Sequence, residues 1–68
     1  MTDTTSEEYR RQCEARSWLQ HGYINAAKVD ALMATIADRR GQQAADELRE
    51  EMRIQWKTRT TWWEGAPL

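Results

Sequence analysis

The chain has no phenylalanine, one proline (Pro67), one cysteine (Cys13) and one histidine (His21) among 68 residues. Each scarcity excludes something. A lone thiol cannot close an internal disulfide, and one His with one Cys supplies too few ligands for a structural zinc site. The large apolar residues are few as well: four Leu, three Ile, one Val and three Met. Nine Ala make up much of the rest of the apolar content but contribute little transfer free energy. A core drawn from that inventory should yield about 3–5 kcal/mol, the range in which small scaffolds resort to disulfides, metal or oligomerisation. With the first two excluded, a homodimer is expected. No metal or cofactor is expected.

Long apolar runs are also missing. None approaches the ~20 residues of a membrane-spanning helix, and no signal-peptide pattern precedes the first charges. The expectation is a soluble cytoplasmic protein without a membrane partner. Ten Lys and Arg stand against eleven Asp and Glu, for a formal net charge of −1. Tight electrostatic binding of nucleic acid needs a basic patch or stripe, and no such patch dominates this sequence.

What the chain has is helix punctuation. Thr5-Ser6-Glu7-Glu8 has the spacing of a capping box. The helix it opens should run to about Gln20 and stop at His21-Gly22, with Gly in the left-handed position past the end. Its apolar set, Tyr9, Cys13, Ala15 and Leu19, is thin, and Cys13 reads as core. Asn25 is a good cap for a second helix ending at Arg39-Arg40-Gly41, with cations in the last turn and Gly beyond. Within it Val29, Leu32, Met33 and Ile36 fall on one face, and Ala27, Ala31 and Ala34 on the opposite one. Burial on both faces points to a second subunit. A third helix from Gln42 to at least Trp56, at most Arg59, places Ala44, Ala45, Leu48, Met52, Gln55, Trp56 and Arg59 on one face. Ile54 points away, towards Glu47 and Glu50. No strand-type alternation occurs. The fold class is therefore all-α: one small helical domain spanning 1–68, frayed over 1–5, with an irregular tail over 60–68. Val29, Leu32, Met33, Ile36, Leu48 and Met52 are the expected dimer seam.

No constellation spells out a reaction. Cys13 and His21 could form a thiol–base pair, but eight residues of helix set them ~12 Å apart. Glu7, Glu8 and Glu14, or Glu47, Glu50 and Glu51, could pair as carboxylates. Acid–base work needs a sheltered pocket to move their pKa values, which so small a hairpin lacks. A non-enzymatic protein is expected. Arg10, Arg11, Arg16, Arg39 and Arg40 could meet phosphates, and the turn at Gly41 could belong to a helix-turn-helix. The last helix, however, would present Asp46, Glu47, Glu50 and Glu51 to DNA. A small DNA-binding regulator is thus the rival reading, and a structural assembly protein a third. Four Trp is a high number for this length. Trp56 belongs to the core face, whereas Trp18, Trp62 and Trp63 are not absorbed by any stripe. Trp and Arg dominate binding hot spots, so Trp18, Arg39, Arg40, Ile54, Trp62 and Trp63 are the expected partner contacts. The tail pair Trp62-Trp63 folding back on the core is the competing expectation.

Two blocks carry a family resemblance. Glu8-Tyr9-Arg10-Arg11-Gln12-Cys13-Glu14-Ala15-Arg16 resembles the E-x-R-x-x-C-E-A-R opening of small proteins from Mu-like and related phages and prophages. Arg40-Gly41-Gln42-Gln43-Ala44-Ala45-Asp46-Glu47-Leu48-Arg49, followed by Gln55-Trp56, resembles their R-G-x-x-A-A-x-x-L-R…W segment. The resemblance covers residues 8–57, and the tail from Thr58 matches no pattern of that family. It implies a helical homodimer of the group that includes the phage quorum-sensing anti-activators. Those proteins bind a LuxR-type host transcription factor and the type IV pilus assembly ATPase. By resemblance, this chain is expected to bind and inhibit a host protein in the bacterial cytoplasm.

Overall fold

The computed structural model describes residues 4–67, and the side chains of 7–67. Four helices fill that range: α1 (Thr4–Gln20), α2 (Ala26–Arg40), α3 (Gln42–Lys57) and the short α4 (Arg59–Trp62). The described residues contain no strand, and the fold is all-α.

Local chemistry sets the helix ends. At the end of α1 the N–H of Gly22 donates to the Leu19 carbonyl at 3.1 Å, and the N–H of Tyr23 to the Trp18 carbonyl at 3.2 Å. These are the two bonds of a Schellman motif, with Gly22 at the positive φ of 101° that the motif requires. The accompanying apolar contact is aromatic: the Trp18 and Tyr23 rings meet edge to face at 5.0 Å. His21 Nδ1 lies 2.6 Å from the Ser17 carbonyl and helps close the same turn. Asn25 then caps α2, its Oδ1 accepting the Lys28 N–H at 2.9 Å. One residue separates α2 from α3. The N–H of Gly41 donates to Ala37 at 2.9 Å, while its carbonyl accepts from Ala45 at 3.2 Å. With φ 98° and ψ 160°, Gly41 occupies a region of backbone space that is essentially closed to other residues.

α3 lies between the other two long helices and packs on both, while α1 and α2 meet each other far less. The result is flat, with extents of 35 × 30 × 15 Å. Ala45, Leu48 and Met52 of α3 wedge between Ala15 and Leu19 of α1 and Leu32, Met33 and Ile36 of α2. Fully burying a Leu, Ile or Met side chain contributes about 1.5–3 kcal/mol. Gln55 is buried on the same α3 stripe, with both ends of its amide engaged. It accepts from Arg16 Nε at 2.8 Å and donates to Glu51 at 2.7 Å.

Several expectations change. Leu32, Met33, Ile36, Leu48 and Met52, expected at a seam between subunits, are buried within the single chain, and Val29 is half-buried against the same core. α1 and α3 cover the face that seemed to need a partner. The opposite α2 face, with Ala27, Ala31 and Ala34, is exposed. Cys13 is exposed rather than core, and Tyr9 is 66% exposed. Helix geometry turns Cys13 ~160° and Tyr9 ~120° away from Ala15, which faces α3. Thr4 and Thr5 are already helical, so the proposed box at Thr5 is not the start of α1. The cap position and the rest of the expected fraying lie outside the described residues. The tail is not irregular throughout. It forms α4, and Trp62 and Trp63 pack against the core.

Candidate interaction surface

The six residues expected to contact a partner separate into two groups. Four are engaged within the chain. Trp18 is half-buried in the Schellman contact, and its indole N–H donates to Glu14 Oε2 at 3.2 Å. Arg40 grips the same carboxylate with both terminal nitrogens, at 3.0 and 2.8 Å. Trp62 donates its indole N–H to the Gln55 carbonyl at 3.1 Å, lies under the Arg16 guanidinium at 5.1 Å and stacks on Trp63. Arg59 holds this tail in place, resting 4.0 Å above the Trp56 ring and donating to the carbonyls of Trp56 and Pro67. Arg39 and Ile54 are exposed, Ile54 at 42%, and Arg40 is exposed as well despite its ion pair.

The two sequence blocks, 8–16 and 40–56, both contribute to the scaffold, although Glu8, Tyr9, Arg10 and Cys13 of the first are exposed. In the first, Glu14 accepts from Arg40 and Trp18, Ala15 is fully buried, and Arg16 reaches Gln55 and Trp62. In the second, Arg40 and Gly41 close α2, Ala45 and Leu48 are core, and Arg49 pairs with Asp30 at 2.7 Å. The Glu14–Arg40 pair joins one block to the other. Arg40's hydrogen bonds hold the Glu14 carboxyl below the ordinary carboxylate range, with its partial burial opposing them. Arg53 lowers the exposed Glu50 carboxyl in the same way.

A surface that the sequence did not flag lies at the other end of the bundle. Leu19, Tyr23, Ile24, Val29, Met52 and Trp56 line a groove of ≈ 300 Å³, open to solvent, between the α1–α2 turn and the second half of α3. Among the described residues its charged lining is Arg49 and Arg53, with no carboxylate. Ile24 is 42% exposed there. One local signal could have revealed it. Ile24 and Val29 flank the Asn25 cap at the positions of a hydrophobic staple, which fixes the entry angle of the chain. Among the described residues no cluster of His, Cys, Asp and Glu is placed to hold a metal ion, and no helix is long and apolar enough to cross a membrane.

Fold and surface together define a small all-α protein with three long helices and an open apolar groove at one end. The chain belongs to DUF7696, a family of unknown function, whose model matches residues 2–59. No curated protein and no solved structure matches it. The family match contains both sequence blocks and the groove, and stops short of Trp62 and Trp63.

Proposed function

We propose that this protein is non-enzymatic and acts by binding and inhibiting another protein. The observation that carries the reading is the open apolar groove with Ile24 exposed at its edge. Hydrophobic grooves are a recurrent form of contact site between proteins. The resemblance of the Glu8–Arg16 and Arg40–Trp56 blocks to Mu-like phage proteins supports a target in a bacterial host, such as a LuxR-type regulator or the pilus ATPase. Self-association belongs to the same proposal, with its place moved from Leu32, Met33 and Ile36 to the exposed Ala27–Ala31–Ala34 face of α2. Small side chains there permit close helix approach.

The test is capture of bacterial proteins on the tagged chain, followed by titration with the purified candidate. Saturable protein binding is expected, with a much weaker response to salt than phosphate contacts give. A steep fall of affinity with salt on labelled DNA, the signature of phosphate contacts, would favour the DNA-binding rival. Absence of any saturable protein partner would end the proposal.

A further inference from the structure

We infer that the groove between Tyr23, Ile24, Val29, Met52 and Trp56 takes one face of an amphipathic helix from a partner protein, a helix with carboxylates beside its apolar anchors. This names the partner chemistry of the surface proposed above and rests on that protein-binding reading.

Size and shape argue for a helix over a small molecule. Ligand pockets run to about 300–1,000 Å³ and bury about 70–90% of the ligand. This groove is at the bottom of that range, at ≈ 300 Å³, and is open to solvent. An open trough encloses little of a free ligand but can accept side chains presented at i, i+3 and i+4 by a docked helix. Its walls suit such anchors. Leu19 and Met52 are buried, Tyr23, Val29 and Trp56 are half-buried, and Ile24 stands at the edge.

Charge decides which helix. The whole chain carries a net charge of −1, yet among the described residues the only charged ones lining the groove are Arg49 and Arg53. Both are about half exposed, at 51% and 53%, and their own partners, Asp30 and Glu50, are at least as exposed at 64% and 56%. Ion pairs so open to water contribute at most about 1 kcal/mol. An incoming carboxylate can therefore replace Asp30 or Glu50 at small cost, whereas a lysine on the docked helix would face two guanidinium groups. Like-charge juxtaposition of that kind rejects wrong partners.

The probes are two synthetic amphipathic peptides of about 15 residues. They share one leucine face, and one is flanked by Glu, the other by Lys. Each is titrated into the full-length protein and followed by backbone amide shifts. The Glu peptide should shift residues 19–29 and 49–56 and bind at least about tenfold more tightly than the Lys peptide. Replacing both arginines (R49Q with R53Q) should remove most of that preference. Ile24→Ser should weaken both peptides, with helicity and thermal unfolding measured to show that each variant is folded. Shifts centred elsewhere, equal binding of the two peptides, or no binding of either would overturn the inference. The broader reading is judged separately. If a captured partner binds the wild type and the R49Q/R53Q and I24S variants equally well, the protein-binding proposal stands and the groove is not its site.

Discussion

The carboxylate of Glu14 accepts both terminal nitrogens of Arg40, at 3.0 and 2.8 Å, and ties the middle of α1 to the last residue of α2. These two helices share little other contact, so the pair fixes one edge of a flat bundle. Arg40 holds the Glu14 carboxyl below its ordinary range. A carboxyl whose folded pKa is depressed contributes stability above its unfolded pKa and loses it as pH falls through the folded value. The bundle should therefore lose about 1 kcal/mol from this pair as the pH falls through and below the ordinary carboxylate range, a figure reduced for the half-exposed arginine. Glu14→Gln should be less stable than the wild type at neutral pH and converge with it in acid. Denaturant melts at several pH values check this, and a constant difference between the two proteins would refute it.

Gly41 is held at φ 98° and ψ 160° between two helices. A Cβ built there meets nothing within 4 Å, so the cost of Gly41→Ala should be backbone strain alone, about 1–3 kcal/mol. A chain of 68 residues is within reach of chemical synthesis, which permits a sharper control. D-alanine at position 41 finds this conformation unstrained and should match or exceed the stability of the glycine protein by up to about 1 kcal/mol. Equal destabilisation by both enantiomers would mean that the cost has a source other than φ.

How much of this could be read in advance depended on the range of the interaction. The stops at Gly22 and Gly41 and the cap at Asn25 are local chemistry, and the structure places them where the sequence does. The stripes Leu32–Met33–Ile36 and Leu48–Met52 were equally legible. Whether one chain could cover them was not. α1 contributes only Ala15 and Leu19 as buried apolar residues, and periodicity gives so thin a stripe little weight. The remaining cover comes from half-buried Trp18, Trp56, Trp62 and Trp63 and from the Arg16–Gln55 bond. Helical period does not count those contributions. α4 was missed for a related reason. Thr60 and Thr61 have poor helix propensity, and the turn is held by bonds from Trp62 to Gln55 and from Arg59 to Pro67.

Trp18 and Tyr23 should be energetically coupled. Their edge-to-face contact at 5.0 Å occupies the apolar position of the Schellman motif. A double-mutant cycle of Trp18→Ala and Tyr23→Ala should return about 0.5–1.5 kcal/mol of coupling. The indole bond to Glu14 is lost whenever Trp18 is replaced, in either background, and so cancels from the cycle. Additive losses would mean that the two rings stabilise the turn independently.

Core and self-association should respond to different substitutions. Leu48 is 2% exposed within the single chain, so Leu48→Ala should cost about 2–5 kcal/mol, comparable with the whole stability of a domain this small. It should unfold much of the population at any protein concentration. Ala31 is exposed on the opposite side of α2 from Leu32, Met33 and Ile36. Ala31→Glu should therefore leave helicity and unfolding of the monomer nearly unchanged, within about 0.5 kcal/mol, while halving the mass seen by light scattering if α2 joins two copies. A folded Ala31→Glu protein that keeps a dimeric mass would remove the alanine face from the interface. A wild type that is already monomeric and folded at micromolar concentration would remove the dimer itself, and the packing of Leu48 between α1 and α2 explains how such a monomer could stand alone.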